Sequence, residues 1–166
     1  MSSHYATHLD APFHFEDDGI TVDQLALETL IGPALVHETS AAKLIQPQDL
    51  PDLSGVERIL FKTRNSDFIT DRVFHTDFVS IGLQAATVLV QAGVRLVGID
   101  YFSVEAFTAP GHPVHHVFCR QGVILVEGLN LQDVSPGWYD LTVLPLKIQG
   151  GDGSPCRAVL REIKIP

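Results

Sequence analysis

The residues of this sequence best suited to chemistry lie in one short segment, HYATHLDAPFHF, at positions 4–15. The segment contains three histidines, His4, His8 and His14, and one aspartate, Asp10. Imidazole nitrogens together with a carboxylate are ligands that Zn²⁺, Mn²⁺ and Fe²⁺ accept in proteins. The segment therefore predicts a metal site. The alternative is a histidine-rich terminus that is exposed to solvent and binds nothing.

The spacing of these residues limits the backbone conformations that can bring them together. A helix would place His4 and His8 one turn apart on the same face, but Pro12 and its polar neighbours disfavour a helix here. An extended strand places His8 and Asp10 on one face, about 7 Å apart along the backbone and within reach of one ion. His4 joins the same ion only if the chain bends, and Ala6 is the expected position of that bend.

Hydrophobic patterning predicts the elements that position this segment. Strands are predicted where apolar residues run nearly continuously or alternate, at 57–63, 94–100, 123–129, 139–148 and 156–165. Two helices are predicted between the first three strands, one at 77–92 that ends before Gly93, and one that begins at Pro113 and ends before Gly122. Strand and helix therefore alternate, which indicates α/β layering with additional strands at the end.

The composition fits one globular domain spanning residues 1–166. Apolar residues make up 45% of the chain, which is enough for a sizeable core. The formal net charge of −9 disfavours nucleic acid and anionic membrane surfaces as partners, and no apolar run approaches the length of a membrane span. Cys119 and Cys156 are too few and too far apart for a disulfide framework or a CxxC zinc site, which favours a reducing cytoplasm.

The histidine segment resembles the HxGTHxDxPxH signature of the metal-dependent cyclase family, which includes bacterial kynurenine formamidases (arylformamidases) and isatin hydrolase. Four further stretches resemble family motifs, in the family's order: KTRNS at 62–66, LVGIDYFSVE at 96–105, HHVFCRQGVILVEGL at 115–129 and YDLTVLPLKIQGGDGSPCRAVLRE at 139–162. The resemblance implies an α/β domain of the swivelling β/β/α type, with a mixed sheet and few helices. It also implies a homodimer or homotetramer.

The resemblance implies a metal-binding role for five residues. His4, His8 and Asp10 would bind a first metal ion, and Asp10 could bridge to a second ion. His115 and Glu127, which are separated as in the family, would complete that second site. The burial predicted for Glu127 supports the same role independently, because an ionised carboxylate at the end of a buried strand is costly without a cation or hydrogen bonds.

The same resemblance implies metal-assisted hydrolysis of an amide C–N bond. His14 would be the general acid and base, or a ligand where the second metal is held differently. The expected cofactor is Zn or Mn, with two ions per chain. The leading substrate is an N-formyl aryl amine such as N-formylkynurenine, in tryptophan catabolism, and a lactam such as isatin is next. Two other functions stay open: cyclisation or dehydration on the same metal site, and metal binding without catalysis.

Two features depart from the family pattern. Ala6 replaces the glycine before the Thr-His pair, and a positive φ at that alanine would be strained by about 1–2 kcal/mol. The chain also begins at the signature, whereas family members usually carry several dozen residues before it. We therefore expect that an N-terminal part was removed, or that another subunit or a shortened fold compensates for it.

Other polar residues near these motifs are expected to have supporting roles. His37 lies in an apolar stretch and is expected to hydrogen bond within the fold. His112 is expected to cap a helix or lie in a loop, and His116 to lie at the surface or to support the neighbouring ligand. Asp100 ends a buried strand and is expected to order the following loop rather than to bind metal.

Overall fold

The computed structural model describes residues 2–163. Its strands are β1 (His8–Asp10), β2 (Ile31–Glu38), β3 (Leu44–Ile45), β4 (Arg58–Lys62), β5 (Ser80–Ile81), β6 (Leu96–Ile99), β7 (Ile124–Glu127), β8 (Gly137–Pro145) and β9 (Gly153–Glu162). Its α-helices are α1 (Leu27–Leu30), α2 (Leu83–Gln91) and α3 (Pro113–Arg120). Within the described residues, no helix combines the length and the apolar character that a membrane span needs.

Seven strands close into a barrel in the order β1-β7-β6-β4-β2-β8-β9. Strands β2, β4, β6 and β7 run parallel, whereas β1 is antiparallel to both of its neighbours and β8 is antiparallel to β2 and β9. β1 closes the barrel, with Asp10 opposite Leu125 of β7 and Gly153 of β9. This closure places the histidine-rich segment against the C-terminal hairpin of the chain.

Alternation along the parallel strands separates two apolar cores. Leu60 packs in the barrel interior, whereas its neighbours Ile59 and Phe61 pack in an outer core. The outer core is completed by residues of α2 and α3, among them Ala85, Leu89 and Phe118. Because both faces of the sheet are covered, the central strands carry continuous apolar runs, at 59–61 in β4, 96–99 in β6 and 124–126 in β7. The predicted α/β class, with a mixed sheet and few helices, is confirmed.

Most of the predicted elements are present. The five predicted strands correspond to β4, β6, β7, β8 and β9, and the second predicted helix is α3. Residues 164–165, at the end of the last predicted strand, lie outside the described residues. Gly93 and Gly122 follow the two helices with φ values of 84° and 70°, as expected of glycines after helix ends.

The predicted helix over 77–92 is wrong at its start, because α2 begins at Leu83. The Asn65 side chain holds the backbone of Val79: its Nδ2 donates to the Val79 carbonyl and its Oδ1 accepts from the Val79 amide, each at 2.8 Å. The next two residues form β5, which pairs with β3. These long-range partners satisfy the backbone groups that a helical turn would use, and they override the local periodicity.

β2 is not among the strands predicted from the sequence; Gly32 and Pro33 interrupt its apolar pattern. β2 pairs with β8 from Ile31 onwards, but with β4 only from Leu35 onwards. Pro33 therefore lies in a part of the strand that has a neighbour on one side only. A residue without an N–H is tolerated at such a position, as it is on an edge strand.

Candidate metal centre

The N-terminal segment brings three of the predicted ligands together by a strand and a bend. His8 and Asp10 lie on one face of β1, and the pairing of β1 with β7 places His8 opposite Glu127. The bend predicted at Ala6 is present, with a φ of 56° in the left-handed region. It turns the chain so that Nδ1 of His4 lies 2.7 Å from Oδ1 of Asp10.

A glycine after β7 gives this bend its space. A Cβ on Gly128 would lie 2.4 Å from the carbonyl oxygen of Ala6, so only glycine allows the two backbones to approach this closely. The Thr7 hydroxyl donates to the Gly128 carbonyl at 2.7 Å and fixes the crossing. The segment before β1 is thereby held over the end of β7, where Glu127 lies.

Two buried carboxylates form the centre of the cluster. Asp10 and Glu127 are 1% and 4% exposed, so both need charged or hydrogen-bonding partners. Nε2 of His8 lies 3.5 Å from Oδ1 of Asp10 and 3.4 Å from Oε2 of Glu127. Nε2 of His115 lies 3.4 Å from Oε1 of Glu127. The structure therefore brings His4, His8, Asp10, His115 and Glu127 into one cluster.

Each imidazole of the cluster is also held from outside through its second nitrogen. Nδ1 of His8 lies 2.9 Å from the carbonyl oxygen of Ala6, and Nδ1 of His115 lies 2.7 Å from Oε2 of Glu105. Nε2 of His4 lies 3.0 Å from Oδ2 of Asp152. Imidazoles that bind metals are oriented in this way, with the outer N–H on a carbonyl or a carboxylate and the other nitrogen turned to the ion.

The donor atoms fit a divalent cation. Four groups of side chains among the described residues have ligand atoms within 4.8 Å of one another, and two of these groups contain Asp10. The first is formed by His4, His8 and Asp10 and the second by Asp10, His115 and Glu127. Nitrogen and carboxylate donors in this ratio suit zinc, manganese or iron. Both groups contain Asp10, so the two candidate metal sites share its carboxylate.

The acidic and basic groups of the cluster hold one another in their charged forms. Burial alone would lower the pKa of His4 and His115, but hydrogen bonds from His4 to Asp10 and Asp152, and from His115 to Glu105 and Glu127, raise both pKa values to about 9. Burial would raise the pKa of Glu127, yet His115 and His8 hold it at about 2. Metal binding requires unprotonated imidazole nitrogens, so a cation here displaces protons.

His14 lies beside the cluster rather than at its centre. A 3₁₀ turn over Pro12–His14 carries it, and its ring stacks on His4 with centroids 4.1 Å apart. Nδ1 of His14 lies 3.0 Å from Oδ2 of Asp152. Among residues 2–163 this is the one hydrogen bond of the His14 side chain. Nδ1 is therefore occupied, and Nε2 is the ring nitrogen available to act in the cavity. His4, His14 and Asp152 also have ligand atoms within 4.8 Å of one another.

A cavity of about 590 Å³ opens over the cluster. Its lining includes the imidazoles of His4, His8, His14 and His115. Three aromatic side chains, Tyr5, Phe15 and Phe102, also line the cavity and form its aromatic wall. The Phe15 ring stacks on His115 with centroids 4.5 Å apart. The cavity therefore combines imidazoles that suit a metal ion with aromatic side chains that suit a planar, apolar group.

Two carboxylates that contact the histidines of the cluster are not predicted to do so from the sequence. Glu105 is a possible carboxylate ligand by its residue type, but nothing in the sequence pairs it with His115, and no sequence pattern singles out Asp152. The signal for Asp152 is its position in the GGDGSP turn directly before β9, where glycines allow a close approach of the chain. For Glu105 the sequence carries only its place in the loop after β6. Both contacts form through the tertiary structure.

The residues expected to have supporting roles make contacts elsewhere in the fold or at the edge of the cavity. Asp100 accepts hydrogen bonds from the backbone and hydroxyl groups of Thr63 and Ser66, and so orders the loop after β4. Nε2 of His37 lies 2.8 Å from the carbonyl oxygen of Asp49. His112 is the residue before α3 and has a left-handed backbone. Nδ1 of His116 lies 2.6 Å from Oε1 of Glu16.

Comparison with known proteins gives the family. Residues 1–106 match the model of the Cyclase family, whose description reads "Putative cyclase". The chain belongs to this family, as the motifs predicted. It is 41% identical to a kynurenine formamidase of Salinibacter ruber, over 100% of this chain and 79% of that protein. It is 43% identical to a kynurenine formamidase of Geobacillus thermodenitrificans, over 98% of this chain and 78% of that protein.

Solved structures share the fold. A structure described as a potential metal-dependent hydrolase with cyclase activity superposes with a TM-score of 0.89 and 36% identity, over 98% of this chain and 82% of that one. Isatin hydrolase A from Ralstonia solanacearum superposes with a TM-score of 0.81 and 26% identity, over 97% of this chain and 73% of that one. The barrel and its helices are therefore the fold of the family.

Proposed function

We propose that this protein is a metal-dependent hydrolase that cleaves the amide C–N bond of an N-formyl aryl amine, with N-formylkynurenine as the first substrate to test. Formate and the free aryl amine would be the products, which is a step of tryptophan catabolism. The observation that carries the proposal is the cluster around Asp10 and Glu127, set on the floor of a cavity with an aromatic wall. The names of the two relatives above support the choice of substrate.

The proposed metal ligands are the five clustered residues. His4, His8 and Asp10 would hold one divalent cation, and Asp10, His115 and Glu127 a second, with zinc or manganese as the expected metals. A cation bound there supplies Lewis-acid polarisation of the substrate carbonyl and a lowered pKa for the attacking water. The outer contacts of the three imidazoles keep their inner nitrogens directed at the carboxylates.

The proposed acid and base is His14. In the reaction the oxygen of water bonds to the carbonyl carbon, the C–N bond breaks, and the nitrogen leaves with one added proton. Nε2 of His14 accepts the proton that water gives up and returns it to the departing nitrogen, so the imidazole ends the cycle as it began. The carboxylate of Asp152 accepts a hydrogen bond from Nδ1 of His14, which leaves Nε2 of His14 as the nitrogen available in the cavity.

The aromatic wall would bind the aryl group of the substrate. Phe15 and Phe102 line the cavity beside the imidazoles, and Tyr5, which also lines it, is 62% exposed. Stacking and burial of a benzene ring against such side chains favour an aryl amide over an aliphatic one. The lactam ring of isatin fits the same description, and the solved isatin hydrolase relative supports it as a second candidate.

The test is turnover by the metal-loaded protein. The purified chain is analysed for bound metal, loaded with Zn²⁺ or Mn²⁺, and assayed against N-formylkynurenine, isatin and aliphatic formamides. We expect formate release from N-formylkynurenine that a chelator abolishes and added metal restores. Preferential opening of isatin would make the protein a lactam hydrolase. Metal binding without turnover of any member of the panel would overturn the proposal and leave a metal-binding protein.

Three further properties belong to the same proposal. The whole chain, residues 1–166, would act as one catalytic domain, because the site draws on residues from both ends of the described chain. We also propose a homodimer or homotetramer, which light scattering coupled to size exclusion measures directly. A cytoplasmic location agrees with the two free cysteines, Cys119 and Cys156.

A further inference from the structure

We propose that Asp152 is a positioning residue of this site, which orients a metal ligand and the acid–base histidine with one carboxylate oxygen. Oδ2 of Asp152 lies 3.0 Å from Nε2 of His4 and 3.0 Å from Nδ1 of His14. The inference deepens the proposed function, since it assigns His4 to the metal and His14 to proton transfer. It adds a residue whose carboxylate contacts the site through His4 and His14.

The backbone of Asp152 is fixed independently of its side chain. Its carbonyl accepts from the amide of Ala11 at 2.9 Å, directly after β1. The next residue, Gly153, pairs with Asp10 in the register of β1 and β9. The side chain is therefore presented to the histidines by the closure of the barrel. A substitution of the carboxylate leaves these backbone partners in place.

The two hydrogen bonds decide which nitrogen of each ring is free. An ionised carboxylate only accepts, so both nitrogens that face Asp152 must carry a hydrogen. For His4 this leaves Nδ1, which points at Asp10, as the nitrogen for a cation. For His14 it leaves Nε2 as the nitrogen for proton transfer. One carboxylate therefore sets the tautomers of two imidazoles with different tasks.

The local packing explains how one oxygen reaches two rings. The rings of His4 and His14 are stacked, with centroids 4.1 Å apart and planes inclined by 29°. Gly153 makes room for this stack, because a Cβ there would lie 2.3 Å from Cε1 of His4. Ser3 adds a donor to the other oxygen of Asp152, at 3.4 Å. The Asp-Gly pair before β9 thus supplies both the acceptor and the space.

A purely structural role for Asp152 would be to hold the turn before β9. The chain offers a matched control for that role in Asp23. Oδ1 of Asp23 accepts from the amide of Gly150, in the same turn, at 2.9 Å, and from the hydroxyl of Thr21 at 2.7 Å. Asp23→Ala therefore removes a carboxylate that anchors the turn without removing a contact to either histidine.

The experiment compares Asp152→Ala, Asp152→Asn and Asp23→Ala in the full chain. Zn²⁺ affinity is measured by competition with a chromophoric chelator, and kcat and KM with N-formylkynurenine. We expect Asp152→Ala to weaken Zn²⁺ binding by about 10- to 100-fold. We expect kcat to fall by about 100-fold while KM changes by less than about threefold. Asp152→Asn, which keeps an acceptor, should recover part of both losses. Asp23→Ala should resemble the wild type.

A double-mutant cycle and NMR separate positioning from general damage. In a His14→Ala background, Asp152→Ala should lower kcat by much less than it does alone, because its action through His14 is already lost. ¹⁵N spectra should show His14 of the wild type protonated at Nδ1 and a mixture of tautomers in Asp152→Ala. Fully multiplicative losses in kcat, or His14 protonated only at Nε2 in the wild type, would overturn the inference.

Failure of the proposed function leaves this inference testable. If the wild type hydrolyses no member of the substrate panel, the Zn²⁺ affinities and the His14 tautomer still decide the role of Asp152. Unchanged Zn²⁺ affinity in Asp152→Ala, together with an unchanged tautomer, would show that Asp152 positions neither histidine. Equal effects of Asp23→Ala and Asp152→Ala would assign both carboxylates to the turn.

Discussion

Glu105 binds both the side chain of His115 and the first turn of the helix that carries it. Its Oε2 lies 2.7 Å from Nδ1 of His115, and its Oε1 accepts from the amide of Val114 at 2.8 Å. One carboxylate thus fixes the position of α3 and the orientation of the ring. The Nε2 of His115 is thereby directed at Glu127.

This contact predicts that Glu105→Gln weakens metal binding at the second site. We expect the affinity for the more weakly bound Zn²⁺ or Mn²⁺ to fall by about 10- to 100-fold, because the amide cannot hold the imidazole as a carboxylate does. Chelator competition measures it. Glu16→Gln is the matched control, since Glu16 accepts from His116 on the same helix at 2.6 Å, away from the two central carboxylates. Equal losses in both variants would contradict the prediction.

His14→Ala should separate catalysis from metal binding. We expect kcat to fall by about 10²- to 10⁴-fold, because the acid and base of the reaction is lost. The metal content, measured by elemental analysis, should stay at the wild-type level. His116→Gln is expected to retain activity, since His116 pairs with Glu16 outside the cluster. Loss of one metal ion in His14→Ala would instead make His14 a ligand.

Gly153→Ala should disturb the site through steric conflict alone. The added Cβ would lie 2.3 Å from the ring of His4, so the ring must move away from Asp10 and Asp152. We expect loss of the metal held by His4 and a large fall in kcat. Gly151→Ala is the control in the same turn, because its Cβ would lie 3.2 Å from the Ile148 side chain. The prediction is wrong if Gly153→Ala binds metal as the wild type does.

The metal-free protein should lose stability in alkaline solution. The pKa values of His4 and His115 are raised from 6.5 to about 9 in the fold, since Asp10 and Glu105 hydrogen bond to the charged rings against the opposing effect of burial. A histidine whose pKa is higher in the folded than in the unfolded state stabilises the fold. This stabilisation is complete below the unfolded-state pKa and is lost as the pH rises through the folded-state pKa. The melting temperature of chelator-treated protein should therefore fall between pH 6.5 and 9.

At acid pH the stability of the metal-free protein should change in the opposite direction and fall as the pH is lowered. The pKa of Glu127 is lowered from 4.5 to about 2, so its contribution is present above pH 4.5 and is lost as the pH falls towards 2. Stability of the metal-free chain should thus be greatest between pH 4.5 and 6.5. Saturation with Zn²⁺ should remove the alkaline decline, because the ion replaces the protons of the imidazoles. An alkaline decline of the same size with Zn²⁺ present would contradict this account.

Substitutions at Ala6 should report on the bend. Ala6→Gly removes the left-handed strain of about 1–2 kcal/mol but adds about 0.5–1 kcal/mol of chain entropy, so a neutral or slightly raised melting temperature is expected. Ala6→Val should lower both stability and metal affinity, because a β-branched residue is strongly disfavoured at a φ of 56°. Differential scanning fluorimetry, with and without Zn²⁺, measures both effects. Tighter metal binding by Ala6→Val than by Ala6→Gly would refute the role of the bend.

The features that the sequence predicts correctly are those set by interactions between residues close together in the chain. His8 and Asp10 share a face because strand residues alternate, and Ala6 had to bend because His4 could not otherwise reach them. The strands buried on both faces were recognised from continuous apolar runs, and α3 from its proline and glycine boundaries. The family resemblance added His115 and Glu127, which no local pattern links to the N-terminal segment.

The tertiary structure decided the contacts between distant segments. Asp152 reaches His4 from 148 positions away because β1 pairs with β9, and that closure leaves no trace in the local pattern. The start of α2 was mispredicted for the same reason, since the Asn65 side chain holds Val79 in a non-helical backbone. Helix propensity is weak compared with such tertiary hydrogen bonds. The sequence by itself determined which residue types are available to bind a metal. The closed barrel determined how each ring is turned towards it.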